Sequence, residues 1–368
     1  MSTNPKIAII LIHYNTPHFI KSCLDHIFNQ TYKNIDVYLV DNNSSDKSIF
    51  DFAKSNYQKT AEERGNKFVI VQNLENLGYA KAANQGIKLA LENSSAYIVI
   101  TNPDIIYSPT YFEKTVHRIE KNNTEKHNTV TSSTAKNNKI AGITGKVYKY
   151  DFAQNKPTKI IDTIGLYISK GLRVVDGGQG TLDEGQFNEE REIFGISGAC
   201  PLYSAQALQD ACIYGEYFDE DFFMYKEDVD LSWRLQLFGY KFLYYPQAIA
   251  FHGRGTSAVE RKTSLQIFKN RNKLTRFQKH YSYRNHNLMI LKNLLWGRYM
   301  KNFFQIIGRD MGTFFYLIFF EPFLLKSVYE YFKLVPKMLK KRKQIMRKMR
   351  TNRTSNTNLP QISVKTQN

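Results

Sequence analysis

Ala96-Tyr97-Ile98-Val99-Ile100-Thr101-Asn102-Pro103-Asp104 is the stretch that decides the fold. An unbroken apolar run, Ala96 to Ile100, reads as a strand buried on both faces, and it runs straight into a polar turn carrying a carboxylate. Strands of this kind lie in parallel sheets covered by helices, and open α/β sheets bind ligands just beyond the carboxyl ends of their strands. The pattern continues outward. Lys6 to Ile12, Ile35 to Val40 and Lys67 to Val71 read as further strands, and Tyr79 to Leu91 as a helix. Thr16-Pro17 reads as another helix start, with Thr16 as N-cap and Pro17 at the first helical position. Ile20, Cys23, Leu24, Ile27 and Phe28 then recur at helical spacing. Strands alternating with helices predict an α/β fold, a mostly parallel sheet with flanking helices.

At 368 residues the chain can bury a full core. Asn122 to Asn138 is rich in Asn, Thr, Ser and Lys, and predicts an exposed, disordered insertion at about residues 121–139. Gly171 to Gly185 is glycine-rich and acidic and reads as a loop that could move. Phe242 to Phe251 reads as a strand interrupted by Pro246 and ending at His252. Cys23, Cys200 and Cys212 have no metal-ligand spacing, and their odd number with no signal peptide argues for a reducing cytosol. The net charge is +18, and residues 331–368 hold eleven Lys or Arg and no acid. Before that tail, Met311 to Leu325 is strongly apolar but short of the roughly 20 residues of a spanning helix. Together they predict peripheral attachment to an anionic membrane surface. The division that follows is a catalytic domain over 1–263, an amphipathic helical region over 264–340 and a basic disordered tail over 341–368.

Several polar groups stand where chemistry could occur, and each has a plainer reading. Asp41 ends the second strand within Asp41-Asn42-Asn43-Ser44-Ser45-Asp46. Its carboxylate could accept the N3–H of a pyrimidine, or simply close a turn. Asn76-Leu77-Gly78-Tyr79-Ala80 and Asn84 open a helix, where Gly78 would admit a ligand close to the backbone or merely start the helix. Asp104 could hold a hard cation shared with a diphosphate; Asn102, two residues before it, is a neutral and poorer ligand, and Asn-Pro-Asp is also a common turn. Glu227, Asp228 and Asp230 follow an aromatic segment, which raises carboxyl pKa values and suits a general base, yet acids also favour a helix N-terminus. Trp233 and Arg234 lie on the same helix, and Arg234 could pair with one acid. His252 could be a metal ligand or a structural histidine.

In this order, the segments Ile9 to Asn15, Val40 to Asp46, Asn76 to Ala80, Asn102-Pro103-Asp104, and Gly198 through Glu227-Asp228-Val229-Asp230-Leu231-Ser232-Trp233-Arg234 to His252 resemble family 2 of the inverting glycosyltransferases, with the GT-A nucleotide-diphospho-sugar transferase fold. Asn-Pro-Asp in place of Asp-x-Asp, with Ile161-Asp162-Thr163-Ile164-Gly165 and Gly185-Gln186-Phe187, is similar to the rhamnosyltransferase branch. The resemblance spans about residues 6–255. It implies Asp228 as catalytic base, with Glu227, Asp230, Trp233 and Arg234 in acceptor binding or support. It implies Asn15, Asp41, Asn43, Asn76, Gly78, Asn84, Asn102, Asp104 and Gly198 at the nucleotide sugar, with Asp41 on the base. Asp104 and His252 would hold a divalent metal, Mn²⁺ or Mg²⁺. Ala83 stands where many relatives have an Arg, so that base contact is absent or supplied elsewhere.

The implied activity is inverting transfer of a sugar, expected to be rhamnose, from a dTDP- or UDP-linked donor to a lipid-linked or polysaccharide hydroxyl in bacterial cell-surface polysaccharide synthesis. The expected place is cytoplasmic, on the inner face of the cell membrane. A hexosaminyl or galactofuranosyl transferase of the same fold is the alternative, as is a non-catalytic relative that binds a nucleotide sugar. A nucleic-acid partner is not expected, because acid clusters occupy the site.

Overall fold

The computed structural model describes residues 4–128, 139–253 and 271–354. Strands β1 (Ile7–His13), β2 (Ile35–Asp41), β3 (Phe68–Gln72) and β4 (Tyr97–Thr101) are parallel neighbours in the order β4-β1-β2-β3. Helices α1 (Pro17–Phe28), α2 (Ser48–Glu63) and α3 (Tyr79–Glu92) connect them. His13 is in register with Asp41 and Leu11 with Thr101, so all three strands end at one edge. Thr16 occupies the N-cap position of α1 but does not cap it; its hydroxyl meets His13 Nδ1 at 3.0 Å.

Beyond β4 the chain adds β5 (Ile105–Tyr107), α4 (Tyr111–Asn128), β6 (Ile140–Asp151), β7 (Lys156–Thr163), a hairpin of β8 (Leu166–Ile168) and β9 (Val174–Asp176), β10 (Arg191–Ile193) and β11 (Leu202–Ser204). Then follow α5 (Ala205–Ala211), α6 (Glu227–Leu237) and β12 (Lys241–His252). The main sheet runs β10-β12-β6-β11-β4-β1-β2-β3, with β11 antiparallel to both its neighbours. Pro246 does not end β12: it falls in a register shift between Tyr245 and Ile249, where no ladder hydrogen bond is required of it.

Alternate residues of β1 face opposite layers. Ala8, Ile10 and Ile12 pack toward α3, and Ile7, Ile9 and Leu11 pack with Ile20, Leu24 and Ile27 of α1. Gly86 of α3 lies directly over Ile10, where a Cβ would come within 2.4 Å of that side chain.

Three sequence expectations change. Helix α4 runs through Asn128, so the first part of the segment read as a disordered insertion is helical; residues 129–138 lie outside the described residues. The glycine-rich stretch after Gly171 is pinned rather than loose: Leu172 and Val174 are buried and Asp183 pairs with Lys146 at 2.7 Å. The largest change is at the C-terminus. Helices α7 (Arg276–Asn293), α8 (Trp296–Lys301), α9 (Phe303–Phe320) and α10 (Leu325–Thr354) follow, so residues 341–354 are helix, not a disordered tail. Met338, Ile345 and Met349 of α10 join the apolar core that contains Trp233 and Phe222. Lys341 is buried against Glu216, Asp219 and Asp221 at 2.6–2.8 Å. A basic composition looks solvated, but here several cations answer acids on the catalytic domain. Residues 355–368 lie outside the described residues.

Candidate active site

The polar residues at the strand ends build two groups, the second of them lining a cleft. In the first, Asp104 follows β4 and His252 ends β12. His252 Nε2 stands 3.4 Å from Asp104 Oδ1, and its Nδ1 is 2.8 Å from Asp162 Oδ2. Burial of the imidazole disfavours its charged form, but the two carboxylates outweigh this and raise its pKa. An imidazole oriented by one carboxylate, with its other nitrogen turned toward a second, is the usual setting of a metal-ligating histidine. The donor set therefore fits a divalent cation held by His252 and Asp104, with Asp162 behind. Asp162 lies in the segment Ile161 to Gly165, but its spacing from His252 gives no hint of this contact. Asn102 lines the cleft beside them.

The second group is the first turn of α6. The Gly198 N–H donates to Asp228 Oδ2 at 3.0 Å, and the Val229 N–H to Oδ1 at 2.8 Å. Burial pushes the Asp228 carboxyl above its ordinary range, against the pull of the Gly198 hydrogen bond. Glu227 is buried too, and burial together with the adjacent Asp228 charge pushes its pKa up to about 8. The same cleft is lined by Tyr79, Asn102, Asp176, Gly198, Lys226 and Asp228. Tyr79, not assigned a role from sequence, has a buried hydroxyl without a hydrogen-bond partner and feels the charges of Glu227, Asp228 and Asp104.

Other candidates are placed elsewhere. Asp230 turns away from the cleft, and Arg234 Nε (3.0 Å), Lys292 Nζ (2.9 Å) and Asn293 Nδ2 (2.7 Å) surround its carboxylate. Arg234 and Trp233 are fully buried. These three residues support the helix and offer nothing to an acceptor. Asn84 donates to the Phe218 carbonyl (2.9 Å) and Glu220 (3.0 Å) and accepts from the Phe218 N–H, so it ties α3 to the segment before α6. Gly78, at φ 81°, admits Phe223 rather than a ligand: a Cβ there would lie 2.5 Å from the Phe223 ring.

At the end of β2, Asp41 is fully buried, with Oδ1 accepting the Ser44 N–H at 2.9 Å and Oδ2 paired with Lys47 at 2.5 Å. Asn15 Oδ1 accepts the Ser45 N–H at 2.8 Å. Asn43 is exposed at φ 66°, and the neighbouring Asn42 does the organising. Asn42 bonds Asn76 Oδ1 at 2.8 Å and accepts the Leu77 N–H at 2.9 Å, and Asn76 Oδ1 also accepts the Gly78 N–H. His13 Nε2 is buried without a partner next to this turn, and burial lowers its pKa. Elsewhere among the described residues, Glu216, Asp219 and Asp221 bring carboxylate oxygens within 4.8 Å of one another, and Lys341 fills that group.

Comparison with known proteins places this geometry. Residues 8–171 match the family described as glycosyl transferase family 2. The chain is 27% identical over 251 residues to a poly-β-1,6-N-acetyl-D-glucosamine synthase of Staphylococcus epidermidis, 67% of this chain and 49% of that one. It is 27% identical over 151 residues to an uncharacterized glycosyltransferase of Haemophilus influenzae, 40% of this chain and 43% of that one. The chain thus spans about half the length of these relatives. Among solved structures it resembles S. aureus TarS 1–349 in complex with UDP, with TM-score 0.52 and 14% identity over 96% of this chain and 91% of that one. It also resembles GalNAc-T7 with UDP, GalNAc and Mn²⁺, with TM-score 0.54 and 10% identity over 80% of this chain and 50% of that one. Residues 8–171, with their strands ending at one edge beneath the cleft, match glycosyl transferase family 2, and the fold is the GT-A fold of these transferase structures.

Proposed function

We propose that the protein is an inverting glycosyltransferase that moves a sugar from a nucleotide-diphosphate donor to an acceptor hydroxyl, with Asp228 as the base. The observation that carries this reading is the Asp228 carboxylate, oriented by the Gly198 N–H in a cleft shared with Asn102. Asp228 takes the hydroxyl proton as that oxygen attacks the anomeric carbon and the bond to the diphosphate breaks. A Mn²⁺ or Mg²⁺ ion at Asp104 and His252 would offset charge on the departing diphosphate. The Asn102-Pro103-Asp104 motif favours rhamnose on a dTDP carrier, whereas the name of the matched synthase favours N-acetylglucosamine, and the TarS and GalNAc-T7 structures hold UDP. A thermal-shift panel of dTDP-rhamnose, UDP-N-acetylglucosamine and UDP-galactofuranose, each with and without Mn²⁺, separates these, since ligand binding to the folded state raises Tm. Metal-dependent stabilisation by one donor supports the reading. No shift with any nucleotide sugar sinks it.

The lipid-linked acceptor and the membrane surface belong to the same proposal, and helix α9 supports them. It buries Ile306 and Leu317, while Arg309 reaches the Gly171 carbonyl at 2.9 Å, so one face lies on the domain. Phe304, Met311, Phe314, Phe315, Phe319 and Phe320 are exposed, as are Tyr329 and Phe332 of α10. Among the described residues, α9 is the one helix that by length and composition could cross a membrane, with 18 residues at mean hydropathy 1.2. Its docked face favours lying in the interface, with the nearby exposed Lys326 and Lys333 available to anionic headgroups. Full-length protein should sediment with anionic vesicles at low salt and release partly as salt rises. Failure to bind under those conditions ends the membrane reading and leaves the transferase reading intact.

A further inference from the structure

The segment leading into α6 is wound the wrong way for its residues. Phe223 (φ 62°, ψ −65°) is the centre of a tight γ-turn, closed by the Met224 N–H on the Phe222 carbonyl at 2.7 Å. Tyr225 (φ 69°) and Lys226 (φ 72°) are also left-handed, and none of the three is glycine. Each such residue is strained and persists only where its surroundings over-determine it. The strain ends at Lys226, the residue immediately before Glu227 and Asp228.

Helix α7 supplies what holds it. Asn285 is fully buried, and its side-chain amide donates to the carbonyls of Phe222 (2.8 Å), Met224 (2.9 Å) and Tyr225 (2.9 Å). Arg284 Nε donates to Asn285 Oδ1 at 3.1 Å, which fixes which end of the amide faces the loop, and another Arg284 nitrogen reaches the Asp221 carbonyl at 2.7 Å. The Phe223 ring is stacked on Tyr281 of α7, with centroids 5.2 Å apart, and its carbonyl accepts the Ala80 N–H at 3.1 Å. Seven and eight residues after Asn285, on the same face of α7, Lys292 and Asn293 grip Asp230. One face of one helix thus holds the strained approach to α6 and the far side of its first turn.

We infer that Asn285 is a positioning residue for the transfer reaction: by clamping the left-handed loop it sets the first turn of α6, and so the direction of the Asp228 carboxylate. This rests on the reading of Asp228 as base. It also makes α7 part of the catalytic machinery. An alanine or leucine at 285 would leave the Met224 and Tyr225 carbonyls without this donor and the Phe222 carbonyl with one donor fewer, and the loop would relax toward right-handed conformations that turn Asp228 away from Gly198.

The test uses full-length protein and the variants Asn285→Leu, Asn285→Ser, Asp228→Asn and Asn285→Ser with Asp228→Asn. Hydrogen exchange needs no substrate. Amides of residues 224–230 should exchange at least tenfold faster in the 285 variants, while those of β1, β2 and β4 keep wild-type rates. Binding of UDP with Mn²⁺, read by thermal shift, should stay within about twofold. Turnover of the donor probes dTDP-rhamnose and UDP-N-acetylglucosamine, read as nucleotide release, should fall thirtyfold or more at saturating donor. Added to Asp228→Asn, the 285 change should cost nothing further, because it acts through that carboxylate. Unchanged exchange at 224–230 overturns the inference, as does a turnover loss that adds in full to that of Asp228→Asn. If Asn285→Leu does not fold, Asn285→Ser, which keeps a short hydroxyl donor, decides by the same readings. Full turnover in Asp228→Asn would instead remove the base assignment, and the exchange result would still show whether Asn285 holds the loop.

Discussion

The two carboxylate groups of the cleft solve opposite problems. Asp104, His252 and Asp162 answer one another: an imidazole lies between two acids, and both its nitrogens face an oxygen within 3.4 Å. Glu227 and Asp228 are adjacent and acidic, Glu227 buried and Asp228 half-buried, and the Glu227 Oε2 has no hydrogen-bond partner. Charge is compensated in the first group and left uncompensated in the second. A compensated group suits holding a cation, and an uncompensated pair, with carboxyl pKa values pushed upward, suits taking a proton.

The sharpest way to break this contrast is at the proton acceptor. Asp228→Asn keeps the shape and removes the base, so turnover should fall by about 10³-fold with donor binding retained. Equal loss of donor affinity would move Asp228 to the donor side and erase the distinction. On the other side, Asp104→Ala should weaken Mn²⁺-dependent donor binding by on the order of 10²-fold, and more than Asn102→Ala does, because only Asp104 carries charge. Full activity in excess chelator would show that the first group holds no metal. A smaller effect is expected one step back. Asp162→Asn leaves His252 in place but removes the carboxylate that orients it, so metal affinity should drop by roughly 10-fold or somewhat more, while metal-free Tm changes little. An unchanged metal titration would make Asp162 a structural partner only.

How far these groups could be read from sequence follows from what each depends on. The strands carrying Asp41 and Asp104 are local apolar runs, and their endpoints are visible in β-branched composition. The turn of α6 is visible as acids before an amphipathic run. What the sequence does not display is pairing across long separations. Asp162 and His252 are 90 residues apart, and Asn84 and Phe218 are 134 apart. Composition also misleads where charge is buried in pairs: Lys341 reads as part of a solvated basic tail, yet it sits in an acid pocket because Met338 and Ile345 draw its helix onto the core. Gly78 shows the same limit, since a glycine at φ 81° is legible but the neighbour it admits, Phe223, is not.

The smallest expected effect is also the most direct reading of uncompensated charge. Glu227 has an ordinary value of 4.5 and is held at about 8 by burial and by Asp228. With the folded pKa above the unfolded one, the folded state holds a proton that the unfolded state has released over the interval between them. Stability associated with this group is therefore complete below 4.5, declines as pH rises, and is lost once pH passes about 8. Glu227→Gln removes the ionisation and keeps the volume. In chelator, its Tm should match the wild type near pH 5 and exceed it above pH 8, by on the order of a few degrees. The first group offers the control: its acids already face an imidazole, so Asp162→Asn should give no comparable gain at high pH. Differential scanning fluorimetry across this range decides the matter. If the curves of wild type and Glu227→Gln run parallel, Glu227 is charged at little cost in the folded protein, and the two sides of the cleft differ less than their geometry indicates.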